Sequence, residues 1–458
     1  MKNKKFEGFK NYIKGKNITV VGIGISNLPL IDLLCECGAK VTACDKKSES
    51  ALGEVCEKLQ KQGVRLALGE SYLDDIGGDI IFKTPGMRFD HPSLLSAREK
   101  GSIITSEMEV FFEVCPAKII AVTGSDGKTT TTTLISKILT ESGYTTHLGG
   151  NIGKPLLCET EKISPEDMVV VELSSFQLHT MKKSADVAVV TNITPNHLDM
   201  HKSYGEYIDA KKNIYLYQNK DGVLVINKTN DKSFECKNEA NGEVRIFGYD
   251  NDLTCFADGN SIYAFGEKIV DKKDIRIPGE HNVQNYMAAI CATYPYATKE
   301  AIVSVAKNFG GVAHRIEFVR QLDGVSYYNS SIDSSPNRTI NTLNVFDKVI
   351  LIAGGKDKGI SYEAIGEAIA KKVKHLVLIG KTSGAIKEAL DNYVQKTGIG
   401  TDIKTDFCTT YEEAVMRAKN AASEGDVVLL SNASTSFDMF NNFEERGNLF
   451  KKIVNELK

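Results

Sequence analysis

The segment that most constrains this chain is Thr123–Thr129, TGSDGKT, which sits between an apolar run and a helix-like run. Lys118–Val122 reads as a buried strand and Thr130–Leu139 as the helix that follows. A strand, a glycine loop and a helix in that order aim backbone N–H groups and the positive end of the helix dipole at one point, which suits an anion. Lys128 is then placed for the β- and γ-phosphates of a nucleotide, and the Thr129 hydroxyl for Mg²⁺. The match to G-x-x-x-x-G-K-[ST] is partial, because Val122 stands at the first glycine position. The competing reading is a tight strand–helix turn with an exposed lysine.

The same alternation runs along most of the chain. Asn17–Val21, Lys40–Cys44 and Ile80–Lys83 read as short buried strands. Lys118–Thr123, Met168–Leu173, Val187–Asn192 and Val223–Asn227 continue the series, and Val349–Ala353, Leu376–Ile379 and Val427–Ser431 form a third group. Strands separated by helices predict parallel sheets covered on both faces, hence a doubly wound α/β class. With 458 residues, about three domains of roughly 150 residues are expected. Breaks fall near Val114–Ala117 and Phe309–His314, and polar Lys228–Lys273 reads as a small β-rich excursion.

Composition narrows the function classes. Apolar residues make up 42% and charged residues 25%, as in globular proteins. A net charge of −3 favours neither nucleic acid nor an anionic membrane as partner. No apolar run reaches the roughly 18 residues needed to span a bilayer. Met1–Lys16 lacks an apolar stretch of signal-peptide length, so a cytoplasmic location is expected. The ten cysteines include no C-x-x-C pair, which removes zinc-ribbon and thioredoxin readings.

Other chemistry collects at strand ends. Glu172 closes Met168–Val171, where a carboxylate faces the ligand crevice of a parallel sheet. NITPNHLDMH, Asn192–His201, offers His197, Asp199 and His201 as zinc ligands by type, but without cysteine or an H-E-x-x-H helix. Strand-end placement favours His197 over His201. Lys211 and Lys212 lie on the expected helix Tyr204–Tyr217, and by spacing alone both read as solvated. GIGISN, Gly22–Asn27, is a weak G-x-G-x-x-G pattern with Asn27 in the third place; taken alone it suggests a nicotinamide dinucleotide.

TGSDGKT, GGNIG (Gly149–Gly153), ELSSFQL, NITPNHLD, AKKNIY (Ala210–Tyr215), EHNVQN (Glu280–Asn285) and AHR (Ala313–Arg315) occur in the order found in the Mur ligases. The chain resembles that family over essentially its whole length. ELSSFQL, GGKDKG (Gly354–Gly359) and FDMFNNFEERGN (Phe437–Asn448) are similar to the members that add D-glutamate, and the DNPR segment of the diaminopimelate- or lysine-adding members does not occur. A folylpolyglutamate-type amide ligase or a catalytically weakened homologue is the alternative.

The resemblance implies a three-domain α/β protein. A Rossmann-like UDP-binding domain spans 1–112, a central mononucleotide-binding ATPase domain 113–312, and a C-terminal Rossmann-like amino-acid-binding domain 313–458. It implies an ATP-dependent amide ligase of peptidoglycan precursor synthesis, acting as a monomer. The carboxylate of UDP-N-acetylmuramoyl-L-alanine becomes an acyl phosphate and is coupled to D-glutamate, with two Mg²⁺ ions. Carried over by position, ATP falls to Gly124, Ser125, Asp126, Gly127, Lys128, Thr129 and Thr130, with Asn282, Asn285 and Arg315. The UDP-sugar falls to Ile25, Ser26, Asp45, Gly86, Asn151 and His197. D-Glutamate falls to Ser334, Lys358, Ser436 and Phe443. Thr129, Glu172, His197 and a carbamylated Lys211 hold metal, and Lys128, Glu172, His197 and Lys211 are the catalytic set. The family's pattern is broken at Ser330, where relatives carry aspartate, at Ile332, where some carry lysine, and in SNASTS, Ser431–Ser436, where many read SPACAS.

Overall fold

The computed structural model describes residues 3–24, 27–74, 76–197 and 200–458. Its contacts divide the chain into two compact units, Met1–Asp274 with Glu280–Lys307, and Ile275–Gly279 with Asn308–Lys458. The first unit contains two sheets and the second one.

The five-stranded sheet runs in the order Arg65–Leu68, Lys40–Asp45, Asn17–Val21, Ile80–Phe82, Ile103–Thr105, with every pairing parallel. The nine-stranded sheet runs Glu267–Asp271, Ser261–Ala264, Cys255–Ala257, Glu243–Gly248, Val223–Asn227, Val187–Val190, Lys118–Thr123, Met168–Glu172, Thr146–Gly150. Its last seven strands are parallel, and the three at the other edge pair antiparallel, which is the β-rich excursion expected within Lys228–Lys273. The second unit's sheet runs Glu317–Leu322, Val325–Asn329, Val427–Leu430, Val349–Ala353, Val373–Ile379, Lys404–Cys408, parallel except at its first pair.

Burial explains why these strands read as continuous apolar runs rather than alternating ones. Leu351, Ala353, Leu376 and Leu378 pack into one apolar cluster, while Ile350, Ile352, Val377 and Ile379 pack into another. Successive residues of a strand point to opposite faces, so both faces of this sheet are covered. In the first unit one cluster joins Ile18, Val20 and Phe111 of the five-stranded part to Ile119, Val169 and Val190 of the nine-stranded part.

Most expected boundaries shift by a few residues, and two of the shifts bear on the site. The helix expected over Tyr204–Tyr217 ends at Lys212, and Tyr215 and Leu216 continue as turns whose N–H groups return to Lys212. The strand expected over Val187–Asn192 stops at Val190, which frees Thr191 and Asn192 to hold the phosphate loop.

Candidate active site

The glycine loop connects the strand Lys118–Thr123 to the helix Lys128–Glu141, as expected. Ser125 N–H donates to Asn192 O at 2.8 Å, and Asp126 N–H to Asn192 Oδ1 at 2.9 Å. Thr191 Oγ1 donates to Asp126 O at 2.7 Å. Gly127 is left-handed, with φ 78°, and a side chain there would collide with Asn285 Oδ1. That close approach explains the glycine. Lys128 Nζ folds back onto the loop and donates to the carbonyls of Gly124 and Ser125, each at 3.0 Å.

Lys211 is not solvated. It is 2% exposed, on the inner face of its helix with Tyr207, one turn away. Its Nζ donates to Gly124 O at 2.7 Å and contacts Thr123 Oγ1 at 3.3 Å, over the Tyr207 ring. Two lysine ammonium groups therefore share the Gly124 carbonyl. Burial, and then the nearby Lys128 charge, push the Lys211 amine well below its ordinary range, against the opposing pull of Glu172 and Asp126. Lys212 is the surface member of the pair and meets Glu239 at 3.0 Å.

Glu172 ends its strand in register with Val122 and Gly150 and is 1% exposed. Its Oε1 accepts from Asn151 Nδ2 at 2.8 Å, while Oε2 is buried with no hydrogen-bond partner. An orphaned anionic oxygen in a buried crevice fits a cation. Among the described residues no group of three or more His, Cys, Asp and Glu side chains is positioned to hold a metal. A metal here would therefore draw on the Glu172 oxygen, the Thr129 hydroxyl in the first turn of the helix, and ligands of other types.

The two histidines differ in burial. His197 is exposed in a left-handed loop, with φ 53°, edge-on to Phe176. His201 is buried, stacks on the other side of its loop against Phe176, and shares a 2.9 Å hydrogen bond with Ser175 Oγ. It packs the loop and lines a small pocket with Phe176 and His179. Asp199 lies outside the described residues.

Near the nine-stranded sheet's crevice, Asn285 Nδ2 donates to Asn282 Oδ1 at 3.0 Å, on one face of the helix Glu280–Thr293. Thr131 Oγ1 donates to Asn285 Oδ1. A small pocket of about 120 Å³ opens beside them, lined by Asp126, Gly127, Asn227, Phe247 and His281 among others. Phe247, near the end of the strand Glu243–Gly248, and His281, in the first turn of the helix Glu280–Thr293, escaped the sequence reading because nothing local marks either as lining a pocket.

A second cleft, of about 770 Å³, opens where the strands Asn17–Val21, Lys40–Asp45 and Ile80–Phe82 end. Asp45 and Gly86 line it as expected; Ile25 and Ser26 lie outside the described residues. Asp45 Oδ2 accepts from Ile23 N–H at 2.7 Å and Oδ1 from Lys47 N–H at 2.9 Å. Asn27, in the third-glycine place, donates to the carbonyls of Val21 and Gly22. Asn151 and His197, expected on the same sugar, lie in loops that follow strands of the nine-stranded sheet and do not line this cleft. Arg88 on the cleft rim donates in paired fashion to Asp90 and to Glu206, and to Met200 O. Arg88, then the Lys202 backbone, hold the Glu206 carboxyl down at about 2. This bridge joins the cleft rim to the helix that carries Lys211.

In the second unit the expected amino-acid residues gather at one edge. Loops leave the adjacent strands Val325–Asn329, Val427–Leu430 and Val349–Ala353 on the same side, where parallel sheets bind ligands. They carry Ser334, Ser436 and Lys358, and Phe443 opens the helix Phe443–Glu456 behind them. Lys356 and Thr435 bridge two of these loops, and Ser331 Oγ donates to Phe443 O at 2.8 Å. Arg315 is exposed next to buried, left-handed His314. Ser330 is fully buried, and its Oγ accepts from Ile316 N–H. Asp333 is also buried, and its Oδ2 accepts from Thr342 Oγ1 at 2.7 Å and Ser431 Oγ at 2.8 Å.

Comparison with known proteins gives a consistent pattern. Residues 122–293 match the Mur ligase middle domain, and residues 314–433 the Mur ligase glutamate ligase domain. The sequence is 52% identical to the UDP-N-acetylmuramoylalanine–D-glutamate ligase of Ruminiclostridium cellulolyticum and 53% identical to that of Acetivibrio thermocellus, over 100% of both chains in each case. It is 51% identical to the enzyme of the same name from Clostridium novyi, over 99% of this chain and 100% of the relative. In fold it is similar to the UDP-N-acetylmuramate–alanine ligase MurC of Thermotoga maritima, with TM-score 0.57 and 18% identity over 97% of this chain and 100% of that one. It is likewise similar to MurF of Acinetobacter baumannii, with TM-score 0.58 and 16% identity over 98% and 92%.

Proposed function

The chain belongs to the Mur ligase family, and from that premise we propose how its residues carry the ATP-dependent addition of D-glutamate to UDP-N-acetylmuramoyl-L-alanine in peptidoglycan precursor synthesis. One observation carries the reading: Lys128 and Lys211 converge on the Gly124 carbonyl beside the unpaired oxygen of Glu172. The fixed Lys128 charge beside a glycine loop serves phosphoryl transfer, and Lys211 stands next to it in reach of the Glu172 side of the crevice.

In this reading the uridine end of the sugar nucleotide occupies the Asp45–Gly86 cleft, and its alanyl carboxylate extends past Asn151 and His197. The nucleotide lies on Gly124–Thr130, with adenine toward Asn282 and Asn285 and Arg315 serving its phosphates. Lys128 leaves the loop carbonyls for the β- and γ-phosphates, where an ammonium–phosphate hydrogen bond exceeds one to a neutral carbonyl. The carboxylate oxygen attacks the γ-phosphorus, ADP leaves, and the D-glutamate amine displaces phosphate from the acyl phosphate. Ser334, Lys358, Ser436 and Phe443 orient that amine. Thr129, Glu172 and His197 are the residues that would hold Mg²⁺; when bound, it neutralises charge between the nucleotide and the carboxylate. Lys211 completes the set as a carbamate, argued below. The division into 1–112, 113–312 and 313–458, a monomeric state and a cytoplasmic location complete the proposal; no helix among the described residues is long and apolar enough to cross a membrane.

The test is ADP release in the presence of UDP-N-acetylmuramoyl-L-alanine, D-glutamate, ATP and Mg²⁺, omitting each in turn. Sustained release is expected only with all four, and L-glutamate should not replace the D-isomer. Turnover with L-glutamate and a folate acceptor would instead select the folylpolyglutamate-type alternative.

Ser330 gives a second measurable expectation. Serine lacks the charge that aspartate supplies in relatives, and a charge-assisted hydrogen bond is worth about 1.5–3 kcal/mol. Ser330→Asp is therefore expected to lower the KM for ATP about tenfold or more. Compensation by Asp333 is disfavoured by its two hydroxyl donors. Removing the carboxylate leaves the buried Thr342 hydroxyl without its acceptor, while Ser431 Oγ keeps Thr339 Oγ1, and should destabilise the protein by about 2 kcal/mol. Urea unfolding measures it, and an unchanged midpoint would reject this role.

A further inference from the structure

Lys83 follows the strand Ile80–Phe82 and is 4% exposed. Its ammonium has no direct hydrogen bond or ion pair among the described residues, and Glu109 is the carboxylate whose charge reaches it. A buried cation without a partner is costly unless it borders a space that an anion can enter. Lys83 borders such a space, a cleft of about 690 Å³ between the helix Glu107–Val114 and residues 179–183, within the range of small-molecule sites.

The charge around this cleft is lopsided. Arg98, Lys182 and Lys183 line it with Lys83, against Glu109 and Glu113. Glu113 meets Lys183 at 3.5 Å, which leaves Lys83, Arg98 and Lys182 facing Glu109 alone. Thr180 Oγ1 is buried in the same wall with no hydrogen-bond partner. Glu109 Oε2 is likewise unpartnered. Phe89, Ile104 and Tyr217 supply apolar walls. The cleft shares no lining residue with the one around Asp45 and Gly86.

From this we propose a second ligand site, in which the cleft binds a small organic anion with an apolar body, of the aryl phosphate type. Lys83 pairs with the anionic head, Thr180 donates to it, and the aromatic body lies against Phe89 and Tyr217. Arg98 and Lys182 draw it in from solvent. None of these residues belongs to the proposed catalytic or substrate set; Lys83 and Phe89 also line a small pocket that Gly86 of the uridine cleft borders, which is why the test includes UDP.

Calorimetric titration of the full chain with 1-naphthyl phosphate tests it. One equivalent should bind, equally with and without saturating UDP. Lys83→Met should weaken binding by about tenfold or more, and Lys182→Ala by about threefold, with UDP affinity unchanged in both. 1-Naphthol, which lacks the anion, should bind at least about tenfold more weakly. Displacement of the probe by UDP, equal affinity for 1-naphthol, unchanged affinity in Lys83→Met, or no binding at all would overturn the proposal. If Lys83→Met fails to fold, Lys182→Ala and the 1-naphthol comparison decide it.

Discussion

Lys128→Ala is expected to lower turnover by about 10³-fold or more while leaving UDP affinity unchanged. The ammonium is held by the carbonyls of Gly124 and Ser125, so it waits within the loop rather than in solvent. As phosphoryl transfer proceeds, charge spreads over the γ-phosphoryl oxygens, and a cation fixed beside them is worth most at that point. A loss of about 10³ corresponds to about 4 kcal/mol of transition-state stabilisation. The UDP cleft belongs to the other sheet of the same unit, so it should not register the change. A purely structural role for Lys128 predicts a different signature. The loop would loosen, KM for ATP would rise, and kcat at saturating ATP would survive. Near-normal turnover at saturating ATP would remove Lys128 from the chemistry.

Legibility in the sequence followed the range of the interaction concerned. Strands buried on both faces, such as Val349–Ala353 and Lys118–Thr123, show as unbroken apolar runs and were placed to the residue. Arg65–Leu68 and Glu317–Leu322 are only partly buried along their length, carry no such run, and went unread. The phosphate loop was legible because its physics is local: a strand end, two glycines and a helix start. Lys211 was not. Its burial depends on a carbonyl 87 residues away in the chain, and a helix-spacing argument cannot see that; family resemblance alone singled it out. Arg88 pairs with Glu206 across 118 residues and carries no local mark at all. Asp333 likewise meets its partner Ser431 only across 98 residues.

Lys211→Ala carries the second large effect, an expected loss of about 10²–10³-fold in turnover, because under the proposed function it removes the oxygen ligand that the amine would supply once carbamylated. The amine nitrogen adds to the carbon of CO₂, a proton leaves, and the side chain changes from a cation to a carboxylate-like anion. Only the neutral amine has the lone pair for this step. An ordinary lysine is almost wholly protonated near neutral pH. Burial and the Lys128 charge shift this one toward the neutral form. The sign follows: a depressed value in the folded protein means the amine is available at pH values where a solvated lysine is not, and acidification through that depressed value closes the route. The new anion would also relieve the repulsion between two ammonium groups at the Gly124 carbonyl, leaving Lys128 as the single cation there. Three results are therefore expected together. Wild-type turnover falls in CO₂-depleted buffer and returns with bicarbonate. A carbamate carbon appears by NMR when ¹³C-bicarbonate is supplied. Formate or acetate restores part of the activity of Lys211→Ala, since a small carboxylate can enter the space the side chain vacates. A structural lysine predicts no rescue and no CO₂ dependence, and unimpaired turnover in Lys211→Ala would remove the residue from the reaction.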